Sequence, residues 1–447
     1  MNKAVVTLII IAVLIVFYII EKFPVALVTV LGMLAMVFAG ATSFKEAFSC
    51  FGSTPVILTF GMVIIIDAII DSGMVTEFEH VLNRLTKHGE KLFLVMILIS
   101  GGLISMFANN TALVAMFMPF IASVASSSKG KIQKKHIYMP LAIGGLIGGT
   151  GSLAGSTAPL LASEVLELTG QQPFSFFTTA PFALIILAVV ALSYWLFLYK
   201  FQVRWFDFPE VSHDVHSKKS DQLNEVLNLD EDRAVKKVLH GESEVPVDKK
   251  HGIIAIAVFL IVVVLFIVRP FGWDLGLISI SGAVVVILTG CVDMKTELRN
   301  MMWPALFTLG AALAIAGAFV NSGAGDLVID FLLRIFGPAM SNSKILVLIF
   351  LLAGWLLSNF MSNGSLVSML ASVAVPLAVA TGQNPVPAAI ACCIGASLAF
   401  ATPVATTTVT MVQVAGYRFK DYFRIGGIVG AIGVAVSWIS LVLIYRL

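Results

Sequence analysis

Apolar stretches of about 20 residues, the length a helix needs to cross the hydrocarbon of a bilayer, recur from one end of this chain to the other. The first, residues 4–20, carries no charge at all, and 252–268 is the same. Only 12% of the 447 residues are charged and 58% are hydrophobic. A soluble protein of this length needs far more charge to cover its surface. The expected class is therefore an all-α polytopic membrane protein embedded in a lipid bilayer, and a soluble enzyme is excluded. A net charge of +2 is too small to point to a nucleic-acid partner. Cys50, Cys291, Cys392 and Cys393 show no metal-ligand spacing and read as small apolar fillers. No small-residue cleavage site follows residues 4–20, so that run reads as a retained span and not as a signal peptide.

The chain also repeats itself. At a shift of about 250 residues, Pro55 falls on Pro304, Thr59-Phe60-Gly61 on Thr308-Leu309-Gly310, and Asp71-Ser72-Gly73 on Asn321-Ser322-Gly323. The stretch from Ser105 to Met116 aligns without gaps on Ser358 to Met369, and Ser152-Leu153-Ala154 matches Ser397-Leu398-Ala399. Any two apolar helices align Leu on Leu. Polar Ser, Asn, Thr and Pro recurring at the same offsets indicate duplication.

Each half parses in the same order. The first has spans near 4–20, 24–40 and 55–71, an interfacial helix 74–91, an apolar pair 92–107 and 112–127, a broken helix 138–165 and a last span 174–198. The second has 252–268, 274–290, 303–322, an interfacial stretch 325–338, a pair 344–360 and 365–380, a broken helix 386–413 and a span 424–445. The pair meets at Asn109-Asn110-Thr111, with no flanking charge. Such a turn suits a re-entrant tip, since irregular backbone is tolerated at membrane depth where protein or a water-filled cavity surrounds it. Each repeat then has five transmembrane helices plus one re-entrant hairpin. An odd number makes the two repeats inverted. With the amino terminus outside, segments 21–22, 72–91, 128–137, 199–251, 291–301 and 415–424 lie inside and hold 22 of the 28 Lys and Arg, a strong positive-inside bias.

The domain plan follows: a first inverted repeat over 1–200, a linker over 201–250 and a second repeat over 251–447. The linker holds eleven acidic residues. It is too short and too charged for a further domain and reads as a cytoplasmic connection. Residues 223–239 could form a short amphipathic helix. His213 and His216 have a metal-compatible spacing, but no further close ligand completes a site.

No nucleophile elbow, phosphate-binding glycine loop or zinc-ligand set is present. The chemistry must come from polar residues inside apolar segments, in four regions: 105–111, 149–157, 358–365 and 395–408. Small polar residues in one membrane helix usually serve packing. Their occurrence in matched pairs at helix breaks points instead to an inverted-repeat transporter, which holds substrate and ions at the midplane on discontinuous helices. Helices starting at Thr111 and Gly364 offer free N–H groups to an anion without any Lys or Arg. Side-chain oxygens of Ser105, Asn110, Ser358 and Asn363 suit a hard monovalent cation, and a bound cation would strengthen anion binding beside it. Asp67 and Asp71, near the inner end of their span, are candidates for a proton role, with an interfacial location favoured.

These residues resemble the divalent anion:sodium symporter family, the carriers of dicarboxylates, citrate and sulfate within the wider ion-transporter superfamily. Members carry a Ser-Asn-Thr motif at each of two hairpin tips, where this chain has Asn109-Asn110-Thr111 and Ser362-Asn363-Gly364. Their broken helices match Gly155-Ser156-Thr157-Ala158-Pro159 and Ala405-Thr406-Thr407-Thr408-Val409, followed by a closing segment like Gly416 to Phe423. The resemblance covers nearly the whole chain, lacking the family's usual extra first helix. It implies a homodimer working by an elevator motion. A scaffold (about 1–72 and 252–322) holds the dimer, a transport part (92–198 and 343–447) slides, and arms (74–91 and 325–338) connect them. It implies one sodium site at Ser105, Asn109, Asn110 and Gly155, and another at Ser358, Asn363, Ala405 and the Met361 carbonyl. Substrate would meet Asn110, Thr111, Asn363, Gly364 and Thr406, with Ser365 supplying the hydroxyl that Gly364 lacks. The expected function is sodium-coupled secondary transport of a small anion in a bacterial cytoplasmic membrane, with no cofactor beyond the coupling ion. A proton-coupled organic-anion carrier or a metalloid oxyanion exporter of the same superfamily is the alternative.

Overall fold

A computed structural model describes residues 3–20, 23–72, 89–128, 130–208, 248–268, 270–301, 303–325, 327–328, 330, 334, 340–402 and 406–447. The arm 74–91 apart from its last residues, most of the arm 325–338, the linker with His213, His216 and the helix expected over 223–239, and Ala405 lie outside the described residues.

Among the described residues all regular structure is helical. In the first half the helices are α1 (Lys3–Ile20), α2 (Val25–Phe38), α3 (Phe44–Ser49), α4 (Thr54–Asp71), α5 (Glu90–Ser105), α6 (Asn110–Ser127), α7 (Lys134–Gly149), α8 (Thr157–Leu168) and α9 (Ala180–Trp205). In the second they are α10 (Lys249–Val268), α11 (Leu275–Leu288), α12 (Met294–Asn300), α13 (Trp303–Asn321), α14 (Ser343–Ser358), α15 (Asn363–Ala380), α16 (Pro385–Ser397), α17 (Thr407–Met411) and α18 (Phe419–Tyr445). Six helical stretches among the described residues are long and apolar enough to cross a membrane. On α10 the side chains of Ile253, Leu260, Ile261, Val264 and Ile267 are all exposed. Such a face is stable only against lipid or another apolar surface, and the protein is an integral membrane protein.

Two packing blocks stand out. In one, α4 lies along α11, α2 along α13, and α10 against both α4 and α11. In the other, α5 packs chiefly on α7 and α14 on α16. Close approach there depends on glycine: a Cβ on Gly148 of α7 would run into the Gly102 backbone carbonyl of α5, and one on Gly395 of α16 would lie 2.6 Å from the Leu351 carbonyl oxygen of α14. The helices after the breaks cross over between the halves. Helix α8 packs on α15 and α16, and α17 packs on α6 and α7.

Helix α7 carries Pro140 within its length. Proline removes one N–H and crowds the carbonyl four residues back, and side chains from elsewhere repair the gap. Gln202 Nε2 of α9 donates to the His136 carbonyl (2.5 Å). One rung earlier, the Tyr417 hydroxyl stands between the helix's own partners, donating to Lys135 O (2.6 Å) and accepting from Met139 N (3.1 Å). At the same end Glu90 accepts from Gln133 N (2.7 Å) and the Tyr199 hydroxyl (2.8 Å), and its carboxylate lies 3.1 Å from His136 Nδ1. These bonds tie α5, α7, α9 and the segment before α18 together.

Both expected broken helices are present. The first is broken between Gly149 and Thr157, the second between Ser397 and Thr407. One alignment needs correcting. Ser152 lies in its break and donates to the Met106 carbonyl, whereas Ser397 is still inside α16 and bonds the Cys393 carbonyl (3.0 Å). The residue that does in the second half what Ser152 does in the first is Thr402, which donates to the Asn359 carbonyl (2.6 Å). Matching Ser152-Leu153-Ala154 to Ser397-Leu398-Ala399 is therefore five residues out, because α16 runs on into its Ser-Leu-Ala.

Candidate functional site

At the first tip, α5 ends at Ser105 and α6 begins at Asn110. Asn109 caps α6, its Oδ1 accepting from Thr111 N (2.8 Å) and Ala112 N (3.4 Å). This is the ordinary preference of Asn for a position with free N–H groups to satisfy. The Ser105 hydroxyl, fully buried, donates to Asn110 Oδ1 (2.6 Å). A Cβ on Gly149, the last residue of α7, would run into the Asn110 amide. Gly155 completes the arrangement. A Cβ there would meet three backbone carbonyl oxygens, those of Gly149 and Ser105 at 2.6 Å and Met106 at 2.9 Å. Ser105, Asn110 and Gly155 thus lie close together, and carbonyl oxygens at the ends of broken helices are groups able to hold sodium. Asn109 lines a cavity of about 50 Å³ with Thr59, Gly155, Ser156 and Thr157.

The second tip is built differently. Ser362 caps α15, accepting from Ser365 N (3.4 Å), and its hydroxyl also donates to Ser365 Oγ (3.2 Å). The Ser358 hydroxyl turns back to the Trp355 carbonyl of its own helix (3.0 Å) and so is not aimed at the tip. Asn363 Oδ1 is buried with no hydrogen-bond partner. Met361 is buried at 2% exposure. Ser365 also lines a cavity between α1, α13 and α15, beside Ala312 and Phe319. Thr406 caps α17 through Val409 N (3.3 Å).

The two tips meet the breaks of the opposite halves. Thr111 Oγ1 of α6 lies 3.3 Å from Thr408 Oγ1 of α17. A Cβ on Gly364 of α15 would lie 3.0 Å from Thr157 Oγ1 of α8. The amino-terminal ends of α6 and α15 therefore sit against hydroxyl-bearing turns from across the molecule. Such ends carry partial positive charge, and no Lys or Arg occurs in 105–111, 149–157, 358–365 or 397–408. Ser156, which precedes α8, makes no side-chain cap, and its Oγ is buried without a partner. Asn363 Oδ1 at the second tip, Ser156 Oγ in the first break and the carbonyls around Gly155 are oxygens of the kind a hard monovalent cation takes, and the helix starts near them are of the kind that suits an anion.

Several participants escaped the sequence reading: Ser152, Thr157, Asn359, Thr402 and Thr408. Their signal was present as hydroxyl or amide residues in the breaks and tips, but nothing in a linear pattern says which of them faces the opposite half.

The chain is similar to several known transporters. An uncharacterized transporter of Synechocystis is 29% identical over 199 residues, covering 44% of this chain and 32% of that protein, so the chain spans about a third of that relative's length. The sodium-dependent dicarboxylate transporter SdcS of Staphylococcus saprophyticus is 25% identical over 419 residues, covering 87% of this chain and 76% of that one. Among solved structures, the YdaH transporter of Alcanivorax borkumensis shares the fold, with a TM-score of 0.52 at 17% identity, over 89% of this chain and 86% of that one. The citrate transporter family matches residues 15–341 and, in an overlapping second alignment, 263–447. Matched in this way over nearly its whole length, the chain belongs to the citrate transporter family.

Proposed function

We propose that this protein is a secondary active transporter that carries a small anion of the dicarboxylate, citrate or sulfate type together with sodium. The observation that supports it most is the meeting of each hairpin tip with the opposite break, Thr111 with Thr408 and Gly364 with Thr157. With no basic side chain in these segments, an anion is held by helix ends and hydroxyls, and a cation alongside supplies the missing positive charge. The first cation uses Ser105, Asn109, Asn110 and the carbonyls around Gly155. The second uses Asn363, whose Oδ1 lacks a partner, with the Met361 carbonyl and Ala405, while the Ser358 hydroxyl stays on its own helix. Asn110, Thr111, Asn363, Gly364, Ser365 and Thr406 contact the anion. The halves are inverted repeats. The block of α4, α11, α2 and α13 is the scaffold of a homodimer, and the block of α5–α9 and α14–α18 slides as an elevator. The amino terminus is outside and the central linker cytoplasmic, in a bacterial inner membrane.

Uptake into proteoliposomes tests this, with succinate, malate, citrate, sulfate, phosphate and arsenite offered in sodium or in choline. Sodium-dependent uptake of a dicarboxylate, citrate or sulfate is expected. Asn110→Ala and Asn363→Ala should each abolish it while leaving a folded protein of unchanged oligomeric size. Full uptake in both variants removes the site, and uptake in choline driven by a pH gradient replaces sodium with protons.

A further inference from the structure

A ligand cage made of backbone carbonyls is only as good as whatever aims them, and a turn at membrane depth has no regular helix to do so. Met106 O belongs to the turn after α5 and is one of the three oxygens facing Gly155. It accepts a hydrogen bond from the hydroxyl of Ser152, which is fully buried and sits in the break between α7 and α8. The same Ser152 Oγ accepts from Ala154 N (3.1 Å), so one hydroxyl fixes both the carbonyl and the backbone leading into Gly155. In the second half the equivalent strap has more strands. Thr402 Oγ1 donates to Asn359 O (2.6 Å), Asn359 Oδ1 accepts from Ala401 N (2.9 Å), and Asn359 Nδ2 donates to Trp355 O (2.7 Å). Asn359 and Thr402 are 5% and 4% exposed. Each strap joins the residue just after the tip serine, Ser105 or Ser358, to a residue in the break.

We propose that Ser152 is a positioning residue for cation binding at the first tip, holding the Met106 carbonyl in the cage around Gly155, and that Asn359 with Thr402 serves the second tip in the same way. The inference rests on the sodium-coupled reading above and names how its first cation site is kept in shape. Ser152 touches no ligand itself. Its removal leaves the Ser105–Asn110 bond and the Asn109 cap in place and frees one carbonyl to rotate. A second strap with two bonds to the break, on an Asn359 further anchored to Trp355 O, tolerates the loss of one better than a strap with a single hydroxyl.

The test uses the purified full-length protein. The sodium dependence of thermal stabilisation and of proteoliposome uptake is measured for wild type, Ser152→Ala, Ser152→Thr and Thr402→Val. A single buried hydrogen bond suggests that Ser152→Ala raises the half-saturating sodium concentration by about tenfold. Uptake at saturating sodium should fall much less, Ser152→Thr should recover the wild-type curve, and Thr402→Val should shift sodium dependence by less than Ser152→Ala. A Ser152→Ala protein that melts lower yet follows the wild-type sodium curve has lost only packing, and the positioning role is overturned. If uptake falls at every sodium concentration with no shift in half-saturation, it is overturned likewise. Wild type indifferent to sodium removes the coupling reading and this inference with it, an outcome distinct from sodium-dependent wild type with an unshifted variant.

Discussion

The two hairpin tips share a sequence pattern and differ in how they are finished. At the first, Ser105 is bonded to Asn110, and Asn109 closes the start of α6 with two acceptor contacts. At the second, Ser358 is bonded to its own helix and Asn363 Oδ1 is bare. A buried polar atom without a partner costs about 1–3 kcal/mol, and such groups persist in native proteins where function needs them. The first tip is assembled in advance, and the second keeps an open valence. In the transport reading, the first cation then binds a site already in shape, and the second gains more by satisfying an atom that had no partner.

The largest expected effect breaks the comparison at its support. Gly148→Ala pushes a methyl group into the Gly102 backbone carbonyl, and Gly395→Ala brings one to 2.6 Å from Leu351 O. Overpacking of this kind costs about 1–3 kcal/mol or more when backbone must move. Melting of the detergent-purified variants should show the greater loss for Gly148→Ala. Equal tolerance would mean the α5–α7 crossing is no tighter than α14–α16.

Next in size is the tip serine. Ser105→Ala should raise the half-saturating sodium concentration about tenfold and Ser358→Ala less than about threefold, since only the first hydroxyl serves the tip. A larger shift for Ser358→Ala would reverse the assignment. The caps come third. Asn109→Ala should cost about 1 kcal/mol of stability and Ser362→Ala somewhat less, since Asn109 accepts from two N–H groups at its helix start and Ser362 from one. Thermal unfolding of the two variants side by side checks the order.

The smallest effect lies outside the bilayer. Asp293 caps α12, and its carboxyl is held below the usual carboxylate range first by the Thr296 hydroxyl and then by the Thr296 N–H. A lowered value means the stabilisation is fully present above the ordinary carboxylate range and fades as pH falls through the lowered one. Asp293→Asn should keep the cap and flatten that acid limb slightly. The matching helix α3 starts on Ser43, boxed with Glu46, whose carboxyl is held low first by the Ser43 N–H and then by the Ser43 hydroxyl, so Ser43→Ala should weaken the protein and flatten its acid limb slightly as well.

Much of the fold was legible. The spans 55–71, 303–322 and 365–380 appear as Thr54–Asp71, Trp303–Asn321 and Asn363–Ala380, because length and apolarity alone decide a membrane helix. Both tips and both breaks fall where the paired polar clusters lie. What could not be read is which single hydroxyl meets which partner. Thr111 and Thr408 are 297 residues apart, and no periodicity connects them. Thr402 looked less like Ser152 than Ser397 did, because identity of a tripeptide outweighs an unseen helix end. Ser358 looked like Ser105 in sequence, but a serine in the last turn of a helix readily bonds a carbonyl of its own preceding turn. The splice of Tyr417 and Gln202 into α7 left one clue, Pro140, which says that partners are needed and not where they come from.

The crossover packing of α8 on α15 and α16 sets a timetable for biosynthesis. Leu168 leaves the ribosome about 200 residues before α15 is complete, which at roughly 5–20 residues per second is roughly 10–40 s. During that interval the first break, with its bare Ser156 hydroxyl and uncapped helix start, has none of its native neighbours from the second half. The nascent first half must wait in the membrane as an unfinished surface, shielded by lipid, water or the insertion machinery. Two halves made as separate chains should therefore each insert, yet form a working site only when made together.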